Sequence, residues 1–359
     1  MKTMHLLAGE YGPEAGGVGA YSQILVEALS QRGLPVRVWD VHDPNVRQLL
    51  PDALRTQPGY LLLQYVPNIL GARGANVALC QWLLSLHRAG ADLRVMFHEP
   101  YLYLSLNPAL NVLALVQRLM AGILLRSSSR TYISTEQWRS YLSSYAPAGM
   151  TFTVLPIPST LPDDPPAASV AEWRSRLSAG FDRIAVHFGT YGEHIATELE
   201  PMIPALLNRD EALRFICIGR GSEAFVDRLV AQHSSLSGRV HGTGRLDRAA
   251  AAASLASGDI ALQPFPDGVT TRRTSVMAPL ALGIPTVTSR GFLTENVWRE
   301  APSVALAAAS DVESHVTATI SLLRDDVTRK QLGDLGRRFY ADRFSIERTA
   351  NILVADALA

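Results

Sequence analysis

Strand-like and helix-like segments alternate along this chain in two separate series, divided at residues 156–166 by a stretch with five prolines. In the first series, apolar runs suited to strands at 4–8, 36–39, 60–64, 93–97 and 130–133 alternate with helical periodicity at 18–32, 46–54, 76–88, 107–125 and 136–145. A short strand at 152–155 precedes the prolines, which fit neither a sheet interior nor a helix interior and read as a linker. Beyond them, strands at 184–187, 214–218, 240–241, 259–263 and 286–288 alternate with helices at 197–207, 223–232, 248–257 and 275–282. The segments 311–323, 327–340 and 345–358 read as helical. Such an order requires parallel sheets covered on both faces. The expected class is therefore α/β, with two Rossmann-like doubly wound domains, and 359 residues suit two cores better than one. Ligands of such sheets bind beyond the carboxyl ends of the strands, so two domains facing one another are expected to place a cleft between those ends.

Composition removes several alternatives. The 33 basic side chains balance 33 acidic ones, so no overall field favours a polyanion, and no nucleic-acid partner is expected. Cys80 and Cys217, the only cysteines, read as small buried hydrophobes in keeping with a reducing, cytoplasmic setting. The first eight residues lack the apolar region of a signal peptide and read as a first strand. The apolar tract 108–125 is interrupted by Asn111, Gln117 and Arg118, so a buried helix is expected, with contact at a membrane surface as the alternative.

Four loops after strands carry groups with chemical potential. Glu14-Ala15-Gly16-Gly17-Val18-Gly19-Ala20-Tyr21 is a glycine-rich turn feeding a helix, where free N–H groups favour an anion; a tight turn alone is the plainer reading. His98 and Glu99 follow the fourth strand, where an imidazole can bond a sugar hydroxyl and a carboxylate can orient it or meet an acceptor, while a structural histidine fits equally. Gly219-Arg220-Gly221-Ser222-Glu223-Ala224 fits a dinucleotide fingerprint, yet no acidic residue stands at 238–242, which argues against a nicotinamide site. Asp267-Gly268-Val269-Thr270-Thr271-Arg272-Arg273-Thr274-Ser275 places two arginines at a helix start, a good setting for a diphosphate. No P-loop, HExxH or GxSxG motif is present, and the nine histidines lack metal-ligand spacing, so no protein-bound metal is expected.

Taken in order, Gly16 to Tyr21, Phe97-His98-Glu99, Phe188-Gly189-Thr190, Cys217 to Gly221, Gly242-Thr243-Gly244 and Ala281-Leu282-Gly283-Ile284-Pro285-Thr286-Val287 resemble the landmarks of glycosyltransferase family 4 and its relatives. The resemblance covers nearly the whole chain and implies the GT-B fold: an acceptor domain at 1–157, a nucleotide-sugar donor domain at 158–342, and a segment at 343–359 whose helix crosses back to the first domain. It further implies a hexosyltransferase-type enzyme that takes a sugar from a nucleotide-diphosphate sugar, with retention and without metal or other cofactor. In the resemblance, Gly16, Gly17 and Gly19 meet phosphate or acceptor, and His98 meets the donor sugar. Gly189, Thr190, Thr271, Thr274 and Ser275 border the sugar and phosphates, and Gly219, Arg220, Gly242, Thr243, Gly244 and Arg245 border the base and ribose.

The chain departs from that family at informative places. The two family glutamates before the Gly-x-Pro motif fall on Thr270 and Ala278, and the usual Arg and Lys after Phe188-Gly189 are replaced by Thr190-Tyr191-Gly192-Glu193-His194. Charge alone nominates Arg272 and Arg273 for the cations, while Asp267 can supply the first carboxylate from a longer loop and Thr274 or Ser275 can take a ribose hydroxyl. A nucleotide-sugar epimerase or hydrolase of the same fold, and a non-catalytic binding protein, stay open as alternatives. The acceptor expected is a glycan, a lipid-linked molecule or a small molecule. Segments 64–74 and 101–104 are apolar and aromatic enough for a lipid-linked one, and for peripheral contact of the first domain with the inner face of a membrane, although core packing explains them as well.

Overall fold

The computed structural model describes residues 2–12 and 15–358, and it divides into two compact units, Met1–Ile157 with Ile346–Ala359, and Pro158–Ser345. The first unit runs β1 (Thr3–Ala8), α1 (Gly16–Gln31), β2 (Val36–Asp40), α2 (Val46–Thr56), β3 (Gly59–Tyr65), α3 (Val77–Arg88), β4 (Asp92–Phe97), α4 (Pro108–Ser127), β5 (Arg130–Ile133), α5 (Gln137–Ser143) and β6 (Phe152–Val154). All six strands are parallel, in the order β2-β1-β3-β4-β5-β6. Leu61, Leu63, Val95 and Phe97 point to one apolar layer, and Met4, Leu6, Tyr60, Leu62 and Met96 to the other. The alternation follows from the period of two along a strand buried on both faces.

The second unit runs α6 (Ala167–Ser178), β7 (Arg183–Phe188), α7 (Glu193–Arg209), β8 (Leu213–Ile218), α8 (Ser222–Gln232), β9 (Val240–Gly242), α9 (Arg248–Ala256), β10 (Ile260–Gln263), α10 (Thr274–Ala281), β11 (Thr286–Arg290), α11 (Asn296–Glu300), β12 (Ala305–Ala308), α12 (Val312–Arg324) and α13 (Asp326–Arg343). Its sheet is parallel with order β12-β11-β10-β7-β8-β9. The strand order reverses between β1 and β3 in one sheet and between β7 and β10 in the other, which leaves a crevice at the carboxyl ends of each pair.

The final helix α14 (Ile346–Leu358) packs Ala350, Leu353 and Ala357 into the layer that holds Leu25 and Leu29 of α1. Polar contacts fix its register. The Asp356 carboxylate accepts from the Tyr132 hydroxyl at 2.7 Å and pairs with Arg130, while the Asp356 carbonyl accepts from Arg94 at 3.1 Å.

Four expectations are corrected. The alanine-rich strand β12 and helix α6 escape a pattern reading, because alanine has little strand preference and α6 directly follows the prolines. Helix α7 begins at Glu193, four residues earlier than the pattern suggested, and holds Pro201 and Pro204. The tract at 108–125 is only partly buried: α4 packs Ala114, Met120, Ala121, Leu124 and Leu125 inward but leaves Leu110, Val112, Leu115 and Leu119 exposed. The proline-rich stretch also differs from a free linker, since Ile157 enters the core of the first unit and Leu161 that of the second.

Removing the Asp356 carboxylate strands the buried Tyr132 hydroxyl and unpairs Arg130. Asp356→Ala is expected to destabilise the first unit by about 1–3 kcal/mol. Hydrogen exchange should then accelerate in α14 and β5 while β7 and β8 keep their protection.

Candidate functional site

The ends of β7, β8 and β9 are drawn together by glycines. A side chain at Gly219, where φ is +121°, would place its Cβ 2.1 Å from the Gly189 carbonyl oxygen. At Gly242 it would meet the Ser222 carbonyl at 2.6 Å, and at Gly244, with φ of +68°, the Glu223 carboxylate at 2.6 Å. Without side chains the loops zip to one another: the Gly189 N–H donates to Ile218, that of Tyr191 to Arg220, that of Gly219 to Gly244, and the Gly244 N–H to the Ser222 hydroxyl at 2.9 Å. The fingerprint glycines of this unit thus serve backbone against backbone. Arg220 and Arg245 flank them on the exposed surface, with Thr243 half-buried.

Across the strand reversal lies the loop 264–273. Ser289 and Glu295, which follow from β11 onward, hold it in place. The Phe265 N–H donates to the Ser289 hydroxyl at 2.8 Å, and Ser289 in turn bonds the buried His315 ring at 2.9 Å. Gly268, with φ of +96°, lies so close to the next loop that a Cβ would be 2.3 Å from the Thr294 hydroxyl. Glu295 is buried; one carboxylate oxygen accepts the Thr271 N–H at 2.5 Å and the other its hydroxyl at 3.0 Å. Within the loop, Arg273 donates to both Asp267 oxygens at 2.7 Å and lies 4.7 Å over the Phe265 ring. The two residues assigned separate roles from the sequence are therefore one ion pair. Arg272 stands beside it, half-buried.

Helix α10 begins directly after Arg273, so the first-turn N–H groups at Thr274 and Ser275 point out of its N-terminus and carry its positive dipole end. Its far end closes on Gly283, whose φ of +72° lets the Ile284 N–H reach back to Pro279. Ser275 also touches the β7 loop: a Cβ at Gly189 would be 3.9 Å from the Ser275 Cβ. Gly189, Ser275, Arg272 and the Asp267–Arg273 pair are thus gathered around one strand reversal, with Thr190 exposed next to Gly189.

In the first unit, Gly9 passes so close to the segment after β3 that a Cβ would meet the Ile69 carbonyl at 1.9 Å. Gly16 (φ +75°) and Gly19 are crowded by Glu10 and by Ala15, whereas Gly17 faces open space and can accept a close ligand. Glu14, named with this turn from the sequence, lies outside the described residues, as does Pro13. His98 is buried between Gln64 Oε1, at 2.5 Å from its Nε2, and the edge of Tyr21. With Gln64 accepting, the ring proton is on Nε2 and Nδ1 is the acceptor. The His98 carbonyl takes the Ser134 hydroxyl and the Trp138 indole N–H, which fixes the strand end from behind. Glu99 is exposed. The residues 16–19, 98 and 99 belong to the first unit, and all other candidates to the second.

Sequence reasoning missed Glu295, Ser289, His315, His187 and Tyr191. His187 on β7 is buried and bonds the Tyr191 hydroxyl at 2.9 Å, which pins the loop beyond Gly189. A buried histidine inside a strand gives no local signal, and Glu295 lies 24 residues from the Thr271 it holds.

Residues 184–325 match the family described as glycosyl transferases group 1, a segment that spans every second-unit candidate. No curated protein matches. Among solved structures, sucrose-phosphate synthase from Thermosynechococcus elongatus is similar with a TM-score of 0.73 at 15% identity, covering 99% of this chain and 98% of that one. HepE from Anabaena in complex with UDP is similar with a TM-score of 0.67 at 15% identity, covering 100% and 99%. The UDP-forming α,α-trehalose-phosphate synthase from Burkholderia xenovorans in complex with glucose-6-phosphate gives 0.65 at 10% identity, covering 99% and 100%. These likenesses establish the GT-B fold, as the ordered sequence landmarks implied.

Burial pushes the imidazoles of both His98 and His187 down to about 3. An unfolded chain takes up these protons near pH 6.5, the folded chain only near pH 3, so the unfolded state binds more protons in between and stability rises with pH across that window. Denaturant midpoints followed from neutral pH downward are expected to fall below pH 6.5. The fall should be shallower in a His98→Gln, His187→Gln double variant.

Proposed function

We propose that this chain, of GT-B fold and with a group 1 glycosyl transferase segment in its second unit, transfers a hexosyl group from a nucleotide-diphosphate sugar to a hydroxyl acceptor. The observation that carries this reading is the gathering of Gly189, Arg272 and the α10 N-terminus at the strand reversal of the unit that matches the family. UDP is the favoured nucleotide because HepE is seen with UDP, and a sugar or sugar phosphate is a favoured acceptor because a similar synthase is seen with glucose-6-phosphate.

Departure of the nucleoside diphosphate develops negative charge on the leaving oxygens. In this reading Arg272 and the N–H groups at Thr274 and Ser275 stabilise that charge, while Asp267, held by Arg273, takes sugar hydroxyls as the absent family glutamate does. The donor's own phosphate oxygen takes the acceptor proton on the face from which it leaves, so retention needs no strong protein base and the leaving group needs no metal.

Incubation with a panel of nucleotide sugars, with products resolved by mass spectrometry, tests this directly. Transfer to an added sugar or sugar phosphate supports it; epimerised donor, or free sugar alone, replaces it with the corresponding activity. Arg272→Ala is expected to lower turnover at saturating donor by roughly 100-fold, and chelation with EDTA to leave it unchanged. Glu295→Ala acts differently: with the loop 270–271 released, donor affinity should weaken by about 1–3 kcal/mol while nucleotide binding stays measurable by calorimetry.

A further inference from the structure

The first unit carries an exposed apolar ledge that its own core does not use. It begins in the segment before α4, where Tyr103 is 50% exposed, Leu104 61% and Leu106 fully exposed, and continues along α4 through Leu110, Val112, Leu115 and Leu119 at 44–63%. Positions 112, 115 and 119 follow helical spacing and form one stripe, which ends at the exposed Arg126 one further repeat along.

The ledge is braced. Gln117 Oε1 accepts the Leu102 N–H at 2.8 Å, and Arg118 donates to the Leu102 carbonyl while lying 4.2 Å over the Tyr101 ring. Asn111 bonds both the N–H and the carbonyl of Ser105, at 2.7 and 2.8 Å, and the Tyr101 hydroxyl donates to the Tyr141 carbonyl. Five hydrogen bonds therefore hold in place a segment whose largest side chains face water. Contiguous apolar surface of this kind marks an interaction site.

Charge identifies the occupant. From residue 53 to 135 the chain has seven arginines, of which three are paired, Arg55 with Asp52, Arg94 with Asp92 and Arg130 with Asp356, and the acidic residues of this stretch are Asp92 and Glu99. Arg73, Arg88 and Arg126 are exposed on the segment before α3, at the end of α3 and at the end of α4. Leucines and a tyrosine bordered by arginines suit a helix lying in the plane of an anionic bilayer surface, with apolar side chains among the acyl chains and cations at the headgroups. Although α4 is long and apolar enough to cross a membrane, its opposite face is built into the core, so it lies along the surface.

We propose that this ledge docks the first unit on an anionic lipid bilayer. The test is co-sedimentation of the full chain with vesicles of phosphatidylcholine alone, or with phosphatidylglycerol at about one lipid in three. Binding is expected to the anionic vesicles and to weaken with salt. Leu106→Asp with Leu115→Asp should lower partitioning roughly tenfold or more, and Arg73→Gln with Arg126→Gln should remove the preference for anionic lipid. Unchanged thermal unfolding shows that these variants are folded. No binding by the wild type, equal binding by the leucine variant, or equal binding to neutral vesicles overturns the proposal. So does a concentration-dependent dimer that Leu115→Asp dissociates, which would assign the face to a second copy of the chain.

Discussion

The arrangement of the second unit depends on the absence of one side chain. The carbonyl of Gly189 occupies the place where a Cβ at Gly219 would begin, and the backbone there adopts a conformation other residues avoid. This contact fixes the β7 and β8 loops edge to edge, and the Gly244 carbonyl, taking the Gly219 N–H, adds the β9 loop. Everything the candidate site offers to a ligand is measured from that corner: Ser275 lies beside Gly189, and Arg272 just ahead of the same helix start.

A second layer of support reaches the site from behind. Glu295 and Ser289 are far from the loop in sequence, yet they take its N–H groups at Thr271 and Phe265. A buried carboxylate committed to two donors keeps a polar loop in one geometry, and preorganised donors are what charge development in a transition state requires. The Asp267–Arg273 pair adds rigidity in the same place, with Arg273 covering Phe265. The loop is thus held by groups that lie both within it and far along the chain.

How much of this could be read beforehand depended on whether the cause was local. The parallel strands were legible because residues such as Leu61 to Leu63 and Val95 to Phe97 are apolar on both faces, and Gly283 marked the end of α10 by its conformational need. The loop 267–275 announced itself by polarity in a neutral chain. What was hidden rests on distant partners: nothing near Arg273 reveals that Asp267 neutralises it, nothing near Thr271 points to Glu295, and the solvent-facing leucines of α4 look in sequence like any core helix. The alanines of β12 form a strand because β11 provides a ladder, not through preference of their own.

The position of α14 has a consequence for the order in which the chain can fold during synthesis. The segment 158–345 is inserted within the first unit, whose layer around Leu25 and Tyr132 is completed only by Ala350, Leu353 and Ala357. The inserted unit has all its strands before residue 309 and all its helices before residue 344, so every element of its sheet is made before α14. Until α14 arrives, the first unit lacks the apolar side chains that close this layer and the carboxylate that takes the Tyr132 hydroxyl.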